Sequence, residues 1–185
     1  MFDDPPTIRS ARASDLVRIQ AIYAHYVEGG TASFEIVPPD LAEMTKRFEA
    51  IQARGFPYFV AEVGGTVAGY AYAGTYRARA AYDYSVEDSV YIAPEHQGRG
   101  LGRALLGALI ENCTQAGYRR MIAVIGDSAN HPSINLHLAM GFSHAGVLPS
   151  AGFKHGRWVD SVMMQRVLGD GDTTPPRPIR HADTL

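Results

Sequence analysis

The chain has 185 residues, 46% hydrophobic and 19% charged, which fits a single globular domain with one sizeable core. Its 17 Lys and Arg against 19 Asp and Glu leave a formal net charge of −2, so no global field draws it onto nucleic acid or anionic lipid, and neither is expected as a partner. Cys113 is the only cysteine, which excludes an intramolecular disulfide and a cysteine-rich zinc site. The opening residues lack the basic and apolar regions of a signal peptide, and no run of 18 apolar residues occurs. The expectation is a cytoplasmic protein with no metal and no membrane span.

Residues 7–11, TIRSA, predict a short strand, and Ser14 an N-cap for a helix with Leu16, Ile19, Ile22, Tyr23 and Tyr26 on one face, stopped at Gly29 and Gly30. TASFEIV at 31–37 reads as extended. Pro38 and Pro39 then introduce Asp40 as the cap of a helix over 41–53. YFVAEV and TVAGYAYAGTY, separated by Gly64 and Gly65, predict a hairpin. A polar and aromatic connector at 77–84 leads into the strand SVEDSVYIA. A helix follows from Leu101, with 101, 104, 105, 108 and 109 on one face and Gly117 closing it. MIAVI at 121–125 has the continuous apolar character of a strand covered on both faces, so strand, helix and strand form a right-handed crossover with a parallel pair. A short helix near 132–140 and strands near 142–148 and 157–168 complete the domain. The rest, 169–185, lacks core residues and is expected to be disordered.

Between strand and helix stands PEHQGRGLGRALL, with Gly98, Gly100 and Gly102 on alternate positions beside Arg99 and Arg103. Glycines at a strand-to-helix turn let backbone N–H groups approach a ligand unobstructed, and the helix N-terminus adds about half a positive charge. The combination suits a phosphate. It is neither a Walker loop, which would end in Gly-Lys-Ser/Thr, nor a dinucleotide fingerprint, because the spacing is G-x-G-x-G.

HQGRGLG, entered from VYIAP and followed by RALL, resembles the acyl-CoA pyrophosphate loop of the Gcn5-related N-acetyltransferases, with Gln97, Gly100 and Gly102 filling Q/R-x-x-G-x-G/A. Asn130, Ser133, His137 and Gly141-Phe142 fill the family's second element, and the resemblance spans 7 to about 168. RARAAYDYSVEDSVYIAPEHQ and AGFKHGRW are similar to the phosphinothricin acetyltransferase subgroup. The resemblance implies an α/β fold of the α+β GNAT type. Its central sheet would be mixed and mostly antiparallel, with a splayed parallel pair and helices on both faces. It implies acetyl-CoA as co-substrate, a small amino acid with a tetrahedral phosphinate, sulfone or sulfoximine head as acceptor, and a homodimer.

It further implies Glu87 as general base and His137 where relatives carry a tyrosine that protonates the leaving thiolate. His137 is open to two roles, general acid or part of the base relay with Glu87. Cofactor contacts are implied for Val90, Tyr91, Ile92, Gln97, Gly98, Arg99, Gly100, Leu101, Gly102, Arg103 and Asn130. Arg77, Arg79 and Lys154 are the cations expected at the substrate mouth, with Tyr82 as a wall. Two other readings stay open: an acetyltransferase for a protein N-terminus or polyamine-like amine, and a non-catalytic acyl-CoA-binding module.

Overall fold

The computed structural model describes residues 5–179. In chain order it contains β1 (Thr7–Ser10), α1 (Leu16–Gly29), α2 (Leu41–Ala53), β2 (Tyr58–Val63), β3 (Thr66–Thr75), β4 (Ser85–Ile92), α3 (Leu101–Ala116), β5 (Arg120–Gly126), α4 (His131–Ala139), β6 (Ser143–Lys154) and β7 (Arg157–Val167). The strands form one 7-stranded sheet in the order β1-β2-β3-β4-β5-β7-β6. Its neighbours are antiparallel except β4 and β5, which are parallel.

Two apolar clusters sit on opposite faces of the sheet. On one face α3 buries Leu101, Leu105, Leu106, Leu109, Ile110 and Cys113 against residues such as Val86, Met121 and Met164. Each fully buried leucine contributes about 1.5–3 kcal/mol relative to exposure. On the other face Leu16, Ile19, Ile22, Tyr23 and Val27 of α1 meet Met44 and Phe48 of α2 over Val60 and Tyr70. The period of two along β4 therefore sends alternate side chains to different helices. Val86 belongs to the α3 cluster, whereas Tyr91 packs edge-on against Tyr23 and Tyr26 of α1, with centroids at 5.1 and 5.3 Å.

Two local expectations need correction, and a third, the extended piece at 31–37, takes a specific form. Ser14 is not a helix cap: residues 13–15 form a 3-10 turn, fastened by Asp15, which accepts from the Arg12 N–H at 2.8 Å and pairs with Arg9. A partly buried ion pair fixes the entry to α1 where sequence spacing suggested a hydroxyl. Residues 31–37, read as extended, join no sheet among the described residues. They lie as a strap held by side chains: Tyr23 Oη bonds Ser33 Oγ and donates to Glu35, Arg47 pairs with Glu35, and Thr31 donates to Asp127. Gly152 makes room for the strap, since a Cβ there would come within 2.3 Å of the Phe34 ring. Finally, the segment from 169 was expected to be disordered, yet its described part, up to 179, is anchored. Arg119 donates to the Gly171 and Pro175 carbonyls, and Ile179 packs against the α3 cluster. The remainder of that segment lies outside the described residues.

Candidate active site

The parallel pair is short. β4 registers with β5 only from Ser85↔Arg120 to Asp88↔Ala123. Beyond that point residues 89–92 keep their pairing with β3, and residues 124–126 keep theirs with β7. The strands thus fork at Asp88, leaving two facing edges whose N–H and C=O groups have no strand partner across the gap. A cleft of about 630 Å³ occupies this fork, lined by residues 89–92 of β4 and 123–125 of β5.

At one end of the cleft lies the glycine turn. Gly98 and Gly100 adopt φ of 71° and 84°, and a Cβ on either would meet nothing within 4 Å among the described residues, so both face open space there. Gly100 is the N-cap of the 16-residue α3 and supplies no side-chain cap. The Ala104 N–H already reaches the Gly100 carbonyl, so the N–H groups of residues 101–103 remain for an anion. Gly102 differs from its two neighbours. A Cβ there would sit 3.2 Å from Leu136 Cδ2, so this glycine permits helix packing rather than direct phosphate approach. Gln97 donates to Tyr26 Oη at 3.0 Å, and that hydroxyl donates to the Ile92 carbonyl at 2.6 Å. The far end of β4 is thereby tied to α1 and to the turn.

Across the cleft, beyond β5, stands α4. Asn130 caps it by accepting from the Ser133 N–H at 3.3 Å while lining the cleft, so one residue fills both a structural and a site position. His137 is 4% exposed and also lines the cleft. Its Nδ1 lies 2.7 Å from the Ser133 carbonyl, its Nε2 lies 2.9 Å from Asp88 Oδ2, and its ring stands edge-on to Phe142 at 4.9 Å. Burial alone would strip the proton from this imidazole. The hydrogen bond and charge of Asp88, with the Ser133 carbonyl, outweigh it and raise the His137 pKa above its usual 6.5.

Glu87 follows the alternation onto the opposite face of β4, with Ser89 and Tyr91. It is half-buried, and burial first, then the Asp88 charge, raise its carboxyl pKa, while Arg77 works in the other direction. The two predicted catalytic groups therefore approach the fork from opposite sides of one strand.

The cleft gathers Val90, Tyr91, Ile92, Gln97, Gly98, Gly100, Gly102, Arg103, Asn130 and His137 from the sequence candidates. Arg99 and Leu101 do not line it, and Leu101, 1% exposed, is a core side chain whose contribution to the site is its backbone. Arg77 lies over the Tyr76 ring at 4.7 Å, and Tyr76 meets Tyr82, which places this part of the connector near Glu87. Arg79 precedes the short 3-10 turn Ala80–Tyr82 in the same connector. Lys154 needs correction as a substrate cation: it is 3% exposed and donates to the Ser33 carbonyl at 2.8 Å, so it secures the strap. Burial lowers its pKa, partly offset by Glu35. Asp88, Tyr26 and Leu136 line the cleft although none was a sequence candidate. The only sequence signal for Asp88 was its place beside Glu87 in VEDSV.

Residues 19–142 match the acetyltransferase (GNAT) family. The chain is 55% identical over 170 residues to the phosphinothricin N-acetyltransferase of Alcaligenes faecalis, covering 92% of this chain and 86% of that one. It is 40% identical over 164 residues to the L-methionine sulfoximine/L-methionine sulfone acetyltransferase of Salmonella typhimurium, covering 89% and 95%. The crystal structure of a GNAT superfamily phosphinothricin acetyltransferase from Sinorhizobium meliloti in complex with AcCoA matches with a TM-score of 0.92 at 49% identity over 97% of both chains. A forked parallel pair with a glycine turn at one end, and this degree of likeness over nearly the whole chain, lead to one conclusion: the protein belongs to the acetyltransferase (GNAT) family.

Proposed function

We propose that this protein transfers the acetyl group of acetyl-CoA to the α-amine of a small amino acid with a compact tetrahedral head, such as phosphinothricin, methionine sulfoximine or methionine sulfone. The observation that carries the reading is the fork itself, which runs from an uncapped helix N-terminus to a buried histidine and has a half-buried carboxylate on its other side. Acetyl-CoA supplies an activated thioester. The turn fits its pyrophosphate through backbone N–H groups with Arg103 alongside, and the free edges of residues 89–92 and 124–126 fit the amides of its pantetheine arm.

Glu87 takes the proton of the attacking amine, directly or through water, and its raised pKa strengthens it as a base. His137, on the other face, gives a proton to the departing sulfur. Arg77 and Arg79 stand on the connector at the Glu87 end and pair with the anionic head, and Tyr82 walls that side. Thiol release with paired acceptors tests the substrate class. kcat/KM for methionine sulfone should exceed that for methionine by at least about 10²-fold, because a site built to hydrogen-bond a polar head rejects an analogue that lacks it. Equal values would remove the tetrahedral-head reading.

Gly100→Val forces a branched residue into φ 84° and fills the open side of the turn. Acetyl-CoA affinity measured by calorimetry should fall more than about tenfold with the fold intact by circular dichroism; unchanged affinity would contradict the pyrophosphate assignment.

A second copy of the chain is the proposed partner. Leu148, Phe153 and Trp158 on the β6–β7 hairpin are 56, 56 and 63% exposed, and Phe153 and Trp158 meet edge-on. Light scattering should report a dimer that Trp158→Asp weakens, and a monomeric mass for the unaltered protein would rule the dimer out.

A further inference from the structure

The reading of His137 as acid leaves one buried carboxylate without a role. The Asp88 side chain is 1% exposed, its Oδ1 has no hydrogen-bond partner among the described residues, and its Oδ2 is 2.9 Å from His137 Nε2. A carboxylate taken this far from water is unfavourable unless something compensates it. Asp88 is also the last β4 residue in register with β5, so it stands where the strands part, and it lines the cleft.

The hydrogen bonds determine where the protons are. A carbonyl only accepts, so the Ser133 oxygen at 2.7 Å requires a hydrogen on His137 Nδ1. A neutral imidazole would then turn its Nε2 lone pair toward the carboxylate oxygen at 2.9 Å, two acceptors in mutual repulsion. One further proton must lie between them. We propose that Asp88 is a positioning residue that keeps this proton on His137 Nε2 at the base of the fork, so that the imidazole is loaded as an acid before substrate arrives. The proposal rests on His137 being the acid of the transfer reaction.

The step balances without any added reagent. As the C–S bond breaks, its electron pair leaves with sulfur. His137 gives up the Nε2 proton, which leaves its hydrogen bond to Asp88 Oδ2 for the sulfur; the N–H bond breaks and an S–H bond forms. The imidazole is left neutral with Nδ1–H still on the Ser133 carbonyl and its Nε2 lone pair facing the Asp88 carboxylate, a transient repulsion that favours prompt reprotonation of Nε2. The amine proton has meanwhile gone to Glu87 on the opposite face of β4, and solvent exchange returns one proton to His137 and removes one from Glu87. Besides each other, the pair is neighboured by Cys113 of α3, whose thiol is pushed up to about 12 by burial and then by Asp88, and by Glu87, which feels the Asp88 charge. Neither supplies a positive charge, so Asp88, with the Ser133 carbonyl, favours the imidazolium. An acid held somewhat above the ordinary imidazole range is a closer match to a thiol near 8.5 than an unassisted buried histidine.

The test is a nitrogen-15 NMR titration of His137 in the full-length protein, with Asp88→Asn as the comparison and pH profiles of kcat beside it. Asparagine keeps an acceptor at the same place but removes the charge. The unaltered protein should show Nδ1 protonated throughout and Nε2 losing its proton above pH 6.5, whereas in Asp88→Asn the loss should move below that value. The alkaline limb of kcat should move with it: kcat at pH 8 falls at least about tenfold and kcat at pH 6 far less, with KM for acetyl-CoA within about twofold. A loss that is uniform across pH, with the titration unmoved, would mean Asp88 is merely structural and overturn the proposal. So would titration of His137 below 6.5 in the unaltered protein, a result that needs no variant to fold. If His137→Gln keeps full kcat, the acid reading itself fails, and the NMR titration separates that failure from a failure of the Asp88 pairing.

Discussion

Glu87→Gln is expected to lower kcat by about 10²–10⁴-fold while leaving acetyl-CoA affinity nearly unchanged. Glutamine matches the shape of the side chain and cannot accept the amine proton. Glu87 does not line the cleft, so the cofactor loses no contact. The direction of the pH profile adds a check. The base works when deprotonated, and its pKa is raised by burial and by Asp88, so activity should rise through a pH region above the ordinary 4.5 of a glutamate. In Glu87→Gln that acid limb should disappear. A variant with near-normal kcat and the same limb would assign the base elsewhere.

His137→Ala should reduce kcat by about 10²-fold or more at pH 7, again with little change in cofactor affinity. Here the protonated form is the working one. Its pKa is raised, so activity should persist to a pH above 6.5 and fall as pH rises through the His137 value. His137→Tyr separates the two roles open from sequence. A tyrosine holds its proton to about pH 10, so as an acid it should retain much more activity than alanine and extend the alkaline limb upward. The opposite-face placement of Glu87 and His137 about β4 favours that outcome over a shared base relay. Loss equal to that of alanine would favour the relay, and a near-normal alanine variant across pH 6–9 would return His137 to packing beside Phe142.

Much of this was legible in the chain, for identifiable reasons. The α2 helix begins after Asp40 and ends at Ala53 as its cap and spacing indicated, and the Gly64-Gly65 hairpin joins β2 to β3. Strong local signals of this kind depend on neighbours in sequence. The glycine turn was legible as an anion site, but which glycine faces the ligand depends on Leu136, 34 positions beyond Gly102, and no local pattern encodes that. Lys154 shows the same limit from the other direction. A lysine in AGFKHGRW reads as a cation for the substrate mouth, but the strap at 31–37 lies over it and accepts from its ammonium. The strap reads as extended because TASFEIV is β-prone, but side-chain anchors from α1, α2 and β6, which no local pattern encodes, hold it in place of a ladder. Asp88 was hidden for a related reason. Alternation along VEDSV sends it away from Glu87, yet only the packing of α4, 49 residues later, gives it a partner.

The claim on which the rest depends is that this cleft performs transfer rather than mere binding of an acyl carrier. It is tested most directly by incubating the protein with acetyl-CoA carrying a carbon-13 acetyl group and with methionine sulfone, then measuring released thiol and N-acetylated sulfone by mass spectrometry in the same samples. The predicted result is one labelled N-acetyl product for each thiol released, over many turnovers per protein and abolished by Glu87→Gln. Tight acetyl-CoA binding with no labelled product from methionine sulfone, phosphinothricin or methionine sulfoximine would contradict the account.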